Sequence, residues 1–173
     1  MEREMVFHAF PPVWDPNSRV LILGTMPSPR SRENGFYYTH PQNRFWPVLS
    51  SVLGEPLPQN NEERRALALR RGVALWDVLA SCEIRGADDG SISRPQPNDI
   101  AGLLARTGIR AVFTTGTKAA ALYRKHCLPL TGREAVPLPS TSPANCRWYT
   151  RQRLEEVYAG ALLPFLQEPP CAP

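Results

Sequence analysis

Residues 20–46 read VLILGTMPSPRSRENGFYYTHPQNRFW. The apolar run at residues 20–23 predicts a buried strand. The 23 residues that follow, 24–46, combine glycines, prolines, serines and aromatics with a His-Pro-Gln-Asn-Arg segment. A loop of this length inside a compact domain is uncommon and is usually functional. Because it follows the carboxyl end of a predicted strand, it lies where open α/β sheets bind their ligands.

On either side of this stretch, short apolar runs alternate with segments of helical periodicity. The further predicted strands are residues 73–76, 111–115 and 135–138, and the predicted helices are residues 44–53, 61–71, 98–106 (begun by Asn98 or Asp99), 117–126 and 148–166. Such alternation predicts a parallel sheet covered by helices on both faces. We therefore expect one three-layer α/β/α domain, residues 1–173, around a central four-stranded parallel sheet.

Three segments lack this periodicity. Residues 1–18 contain Pro-Pro and Asp-Pro pairs that forbid a long helix, so we expect a loop-like N-terminal arm. Residues 82–97 are rich in Gly, Asp and Ser and are expected to form a loop. Pro164 is expected to bend or end the last helix, and residues 167–173 are expected to form a frayed tail.

Charge and composition narrow the function classes. The net charge of +4 is compatible with a polyanionic partner. No run of 18 apolar residues is present, so no membrane span is expected, and the polar N-terminus favours a cytoplasmic protein. The four cysteines form no Cys-x-x-Cys pair, and the three histidines are widely separated. We therefore expect no metal, iron–sulfur cluster or other cofactor. We also expect the protein to be a monomer.

Three ordered segments carry a family resemblance. They are GTMP at 24–27 with GFYY at 35–38 and HPQNRFW at 40–46, then GVALWD at 72–77, and LPSTSPAN at 138–145. Together they resemble the signatures of the uracil-DNA glycosylase superfamily, most closely its hypoxanthine-DNA (deoxyinosine) glycosylase branch. The resemblance implies a monofunctional enzyme that hydrolyses the N-glycosidic bond of a deaminated base in DNA, with hypoxanthine expected, and so begins base excision repair. A uracil or G:U/G:T mismatch glycosylase, a non-catalytic damaged-DNA-binding module and an enzyme for a small nucleotide remain alternatives.

The resemblance also implies roles for five side chains. Asn43 is expected to be catalytic by orienting water, and the alternative is a helix cap. Met26 is expected to contact the base. It stands where mismatch-specific relatives carry a catalytic Asn, and a thioether cannot orient a water as that amide does. Tyr38 is expected to stack on the flipped base, or else to be a half-buried core residue. Asp77 is expected to read the base edge, with a turn cap as the alternative, and His40 to orient the loop or donate near the leaving base.

A further set of residues is expected to bind DNA around the target nucleotide. In the family such loops hold phosphates, and small hydroxyls, backbone N–H groups and a helix N-terminus are suitable donors. The expected set is Ser28, Ser31, Gly116, Thr117, Lys118, Ser140, Thr141, Ser142, Asn145 and Arg147. Turn chemistry alone is the alternative for the hydroxyls, and helix capping is the alternative for Asn145. Because the loops follow parallel strands, we expect them to converge at one edge of the sheet.

Overall fold

The computed structural model describes residues 2–166, so the expected tail at 167–173 lies outside the described residues. The strands are β1 (Glu4–Phe7), β2 (Val20–Gly24), β3 (Val73–Asp77), β4 (Leu79–Arg85), β5 (Asp88–Pro97), β6 (Ala111–Thr115) and β7 (Ala135–Leu138). The helices are α1 (Pro29–Asn34), α2 (Phe45–Leu53), α3 (Asn61–Arg70), α4 (Ile100–Ala105), α5 (Thr117–His126), α6 (Leu128–Thr131) and α7 (Arg151–Leu166), with a 3₁₀ turn at Pro143–Asn145.

The central sheet has four parallel strands, as predicted. Their order, which the sequence analysis did not predict, is β3-β2-β6-β7. In this register Gly24 pairs with Asp77, and Thr115 pairs with Leu138. These residues end their strands, so the loops after all four strands emerge at one edge of the sheet. The expected convergence of the polar loops is therefore present.

Strand β2 shows why the sheet is covered on both faces. All five of its residues are buried, as expected for a central strand of a parallel sheet. Val20 and Ile22 belong to a core that also contains buried residues of α2, α3 and α7. Leu21 and Leu23 belong to a second core with α4 and α5. Because side chains alternate along a strand, one apolar run supplies both layers, and the three-layer α/β/α prediction is confirmed.

The expectations for the N-terminal arm and for residues 82–97 are wrong. Strands β1, β4 and β5 form a separate antiparallel sheet with β4 in the centre. The β4–β5 hairpin is closed by pairing of Arg85 with Asp88 across a two-residue turn. Register shifts interrupt the pairing, and Arg94 has φ 49°. Bulges of this kind break the alternation that marks a strand in sequence. Strand β5 lies at the edge of its sheet, where prolines are tolerated although they have no N–H to donate.

Several helix boundaries also differ from expectation. Asn60 rather than Asn61 caps α3, by accepting from the Glu63 N–H at 2.9 Å. The last helix begins at Arg151 instead of residue 148, because the 3₁₀ turn and a further turn occupy the preceding residues. Pro164 lies inside α7, which continues to Leu166. Within residues 2–166, no helix is long and apolar enough to cross a membrane.

Candidate active site

A cavity of about 160 Å³ opens at the edge where the strand ends converge. Its walls come from five parts of the chain: the loop after β2, the end of β3, the tip of the β4–β5 hairpin, the end of β6, and the loop after β7. The lining residues include Gly24, Thr25, Met26, Pro27, Ser28, Ser31, Tyr37, Tyr38, Asn43, Asp77, Gly86, Ala87, Asp89, Thr115, Ser140, Thr141 and Ser142. Segments separated by more than 100 residues in the sequence therefore form one site.

Tyr38 is held in a strained conformation at the cavity wall. Its φ of 57° is unusual for a residue other than glycine, and such strain is concentrated at functional sites. Its ring stacks on Phe45 with centroids 3.9 Å apart and planes 19° apart. The hydroxyl lies 3.4 Å from Thr115 Oγ1. Burial raises the pKa of Tyr38 well above its usual value, so the phenol is neutral. Since Phe45 covers one ring face, only the opposite face is available to stack a base.

Asn43 is fixed by two hydrogen bonds to the same oxygen. Its Oδ1 accepts from the Phe45 N–H and from the Thr141 hydroxyl, each at 2.9 Å. These donors establish which end of the amide is oxygen. The bond to Phe45 lies at the start of α2, where a helix cap was the alternative role for Asn43, although Arg44 occupies the cap position. Because the oxygen is already used twice, it is not free to accept from a water, and Nδ2, which has no protein acceptor among residues 2–166, is the group left for a ligand.

Asp77 ends β3 with its carboxylate buried in the cavity floor. Its Oδ2 lies 2.8 Å from His8 Nε2, and the two side chains are only 5% and 6% exposed. A Cβ placed on Gly24 would lie 2.5 Å from Asp77 Oδ1, so only glycine fits opposite this carboxylate. The turn after β3 is closed by Asn98, whose amide donates to the Asp77 carbonyl at 2.9 Å. A turn cap made by the Asp77 side chain is therefore excluded.

His8 is a site residue that the sequence analysis missed. It follows β1, and its backbone N–H donates to the Ala80 carbonyl at 2.8 Å. Its ring lies against Phe10 and Tyr37, at centroid distances of 4.9 and 5.8 Å. Since the arm was expected to be a loop, no local signal placed this histidine beside β3.

Met26 and His40 have different outcomes. Met26 lines the cavity and packs against the core that contains α4 and α5, which agrees with a place in the base-binding wall. His40 is not among the cavity-lining residues that the structure describes. Its Nδ1 accepts from the Gln42 N–H at 3.1 Å, and its carbonyl accepts from the Asn43 N–H at 2.9 Å. These contacts favour the loop-orienting alternative for His40, and the contact with the leaving base stays a prediction.

The serine and threonine side chains of the two signature loops divide into two groups. Ser31 and Thr141 are buried and bond inside the protein, Ser31 to the Thr39 N–H and Thr141 to Asn43. They support the loops and are not placed to contact phosphate. The hydroxyls of Ser28, Ser140 and Ser142 each accept from a nearby backbone N–H. A hydroxyl that only accepts keeps its own O–H as a donor, so turn chemistry and phosphate contact are compatible there.

The remaining residues expected to bind DNA are not among those that line this cavity. Gly116 has φ 86° and begins α5 without a side-chain cap, which leaves the N–H groups of the first turn, at Thr117 and Lys118, unsatisfied by a cap. Asn145 donates to the Ser140 carbonyl at 2.8 Å and so braces the loop after β7. The Arg147 guanidinium lies 5.6 Å from the ring of Trp148, which is 74% exposed. That exposed tryptophan was predicted only as a helix residue.

Asp89 places a second carboxylate in the cavity wall. It comes from the hairpin that was expected to be a loop, so no pattern in the sequence pointed to Asp89 as a site residue. Although the residue is exposed by surface area, the surrounding cavity wall desolvates its carboxyl group and raises the pKa of that group. The positive charge of Lys118 opposes this shift. Among residues 2–166, no group of three His, Cys, Asp or Glu side chains is arranged to hold a metal ion.

Comparisons with known proteins agree with this arrangement. The Uracil DNA glycosylase superfamily profile matches residues 11–161. A protein of Methanosarcina acetivorans named hypoxanthine DNA glycosylase is 33% identical over 153 residues, which cover 87% of this chain and 96% of that protein. A protein of the same name from Methanosarcina barkeri is 36% identical over 140 residues, covering 80% and 87%.

A solved structure has the same architecture. The solution NMR structure of a protein from Methanosarcina acetivorans, provisionally assigned as a uracil DNA glycosylase, superposes with a TM-score of 0.76. It is 30% identical to this chain, and the match covers 91% of this chain and 98% of that protein. Both the sequence match and the shared fold extend over nearly the whole length, and the chain belongs to the uracil DNA glycosylase superfamily.

Proposed function

We propose that this protein is a monofunctional DNA glycosylase that removes hypoxanthine from DNA by hydrolysis. Membership of the superfamily and the names of the two Methanosarcina relatives support the reaction. The observation that carries the proposal is the buried Asp77 carboxylate, held by His8 in a cavity formed by the signature loops. We also infer that the protein acts as a monomer on DNA containing the deaminated base.

Asp77 supplies the chemistry for reading the base. An ionised carboxylate can only accept hydrogen bonds. Hypoxanthine presents a ring N–H beside a carbonyl, so the carboxylate meets the N–H. Adenine has no N–H at that ring position, and a buried acceptor without a partner costs about 1–3 kcal/mol. Uracil also presents a ring N–H beside carbonyls and is the second candidate base, as the provisional assignment of the structural relative suggests.

Asn43 and the loop hydroxyls act on the other reactants. As the base leaves with the electron pair of the glycosidic bond, positive charge builds on the sugar and a water oxygen adds to its anomeric carbon. The Asn43 Nδ2 group is a donor, so it holds the oxygen of that water or an acceptor atom of the base. The negative charges of Asp77 and Asp89 lie in the same cavity and favour the cationic sugar. Ser28, Ser140 and Ser142 bind the flanking phosphates.

Base release from defined duplexes tests this function. Oligonucleotide duplexes carry a single inosine, uracil, xanthine, G:T mismatch or unmodified base, and abasic sites are revealed by alkaline cleavage under single-turnover conditions. We expect release of hypoxanthine, with no cleavage of the unmodified duplex. Absence of release from every duplex would favour the damage-binding module suggested by Met26, whereas faster release of uracil than hypoxanthine would overturn the base assignment.

The role of Asn43 requires its own comparison. We expect Asn43→Ala to slow base release by about 10²-fold or more, the range for loss of a positioned polar group, while binding to an abasic-site analogue persists. Asn60→Ala is the matched control, since it removes a cap-forming Asn at the start of α3 and outside the cavity. A near wild-type rate in Asn43→Ala would reduce Asn43 to a structural cap.

A further inference from the structure

His8 and Asp77 form an isolated polar pair between the two sheets. Strand β1 pairs with β4 through Phe7 and Ser81, and this pairing brings the next residue, His8, to the end of β3. The Nε2–Oδ2 distance is 2.8 Å, and less than a tenth of either side chain is exposed. Phe10 and Tyr37 cover the imidazole ring. Nothing in the base-reading chemistry of Asp77 alone requires a histidine from a separate sheet.

Burial makes the charge state of Asp77 depend on its neighbours. A buried carboxylate is unfavourable unless it is paired and hydrogen-bonded, and otherwise it takes up a proton. Within residues 2–166, the only donor to this carboxylate is His8 Nε2. Among the described residues, the other titratable groups that face Asp77 are Tyr37 and Tyr38 of the loop after β2 and Asp89 of the hairpin. Burial raises the pKa of each of them, and the negative charge of Asp77 adds to the shift. None of these three groups stabilises the carboxylate as an anion.

The protonation state of Asp77 determines what it can read. As an anion it accepts at both oxygens, and as a neutral acid it presents an O–H donor. With Oδ2 bonded to His8, Oδ1 is the oxygen that adjoins Gly24. A donor at this position would face the N–H of hypoxanthine or uracil and repel it.

We propose that His8 is a positioning residue that holds Asp77 as an oriented anion, so that the cavity accepts only bases with a ring N–H. The part concerning bases rests on the proposed function. The pairing requires a proton on His8 Nε2, whether the imidazole is neutral or cationic.

The His8 tautomer tests the pairing without any activity measurement. Long-range ¹H–¹⁵N correlation spectra of the ligand-free protein at neutral pH distinguish the imidazole nitrogens, and the spectrum of His8→Gln identifies which signals belong to His8. We expect a proton on Nε2. A bare Nε2 with the proton on Nδ1 would require Asp77 to be the donor and would overturn the proposal. This measurement decides the role of His8 even if the protein releases no base.

His8→Gln and His8→Asn both replace the imidazole by an amide but differ in side-chain length, and together they test the role of His8 in excision. Gln places its amide nitrogen as many bonds from Cα as His Nε2, whereas the Asn amide is one bond shorter. We expect His8→Gln to keep most of the hypoxanthine excision rate. We expect His8→Asn to lose roughly 10-fold to 100-fold at neutral pH, the range for a hydrogen bond to a charged group. Equal impairment of both variants would show that His8 only packs.

A double-mutant comparison separates pairing from general damage to the fold. In an Asp77→Asn background there is no carboxylate to ionise, so His8→Asn should lower the remaining rate by less than about threefold. The same loss in both backgrounds would overturn the proposal. Circular dichroism and thermal unfolding of each variant verify that the compared proteins are folded.

Discussion

Gly24→Ala tests whether the cavity depends on close approach between β2 and the Asp77 carboxylate. Gly24 pairs with Asp77 in the sheet. An added Cβ would lie 2.5 Å from Asp77 Oδ1 and 3.3 Å from the Tyr38 hydroxyl. Because carbon–oxygen contacts in proteins rarely fall below roughly 3.3 Å, the carboxylate must move by about 0.8 Å. His8 and the buried surroundings of Asp77 oppose this movement.

The expected losses follow from that displacement. Forcing a methyl group into a packed site costs about 1–3 kcal/mol, which for a protein of this size lowers the melting temperature by roughly 2–4 °C per kcal/mol. A displacement of about 1 Å at a reacting or reading group can cost on the order of 10²-fold in rate. We therefore expect Gly24→Ala to be destabilised and to release hypoxanthine about 10²-fold more slowly. Urea unfolding and single-turnover excision measure the two effects.

Two further variants make the result interpretable. Gly160→Ala in α7 meets no atom within 4 Å, so it should stabilise the protein by about 0.5–1 kcal/mol and leave the excision rate unchanged. In an Asp77→Ala background the closest clash is absent, and Gly24→Ala should cost less stability than it does in the wild type. Wild-type stability and rate in Gly24→Ala, or the same penalty in both backgrounds, would refute the reasoning.

Asp77→Asn should change the ratio of uracil to hypoxanthine excision, because an amide both donates and accepts. Asp77→Ala should slow both reactions, and an unchanged ratio in a folded Asp77→Asn protein would remove Asp77 from base reading. Excision should persist in EDTA, and a loss reversed by zinc or magnesium would contradict this. Borohydride should trap no protein–DNA adduct, because a lyase needs a nucleophilic amine. Besides the N-terminus, the chain offers only Lys118, which is better suited to phosphate, and Lys125. A trapped adduct would establish lyase chemistry. Although Asp89 is exposed by surface area, the cavity wall desolvates its carboxyl group and raises its pKa. The folded protein therefore binds the Asp89 proton more tightly than the unfolded chain, and ionisation at neutral pH opposes folding. Asp89→Asn should therefore give a small gain in unfolding free energy at neutral pH that disappears near about pH 3, where both states are protonated; urea unfolding at the two pH values checks this.

The central sheet and most of the signature loops were predictable from the sequence. Apolar runs such as residues 20–23 and 111–115 are complete local signals, because a central parallel strand is buried on both faces. Once parallel strands are predicted, the meeting of their following loops is a geometric consequence. The comparisons with known proteins confirmed the family resemblance, and the four-stranded parallel sheet confirmed the fold class. The expected roles of Asn43, Tyr38 and Asp77 in catalysis and base reading stay predictions.

The second sheet could not be predicted, for a physical reason. Strand β5 is a polar edge strand with bulges, so its pairing depends on β4 and not on its own periodicity. Strand β1 likewise forms through pairing with a segment about 75 residues later, as in Phe7 with Ser81. Both were therefore expected to be loops.

Two features of the site illustrate the same division. The sequence alone determined that Asn43 lies in the HPQNRFW segment and Asp77 in the GVALWD segment, both of which resemble signatures of a known family. Such signatures are local runs of residues, so they can be recognised without the structure. Only the tertiary structure decided that the Asn43 oxygen is occupied by Thr141, 98 residues later, and that His8 lies against Asp77, 69 residues later. The first contact depends on how the loops after β2 and β7 fold against each other, and the second depends on how the two sheets pack. No local pattern of residues specifies either arrangement.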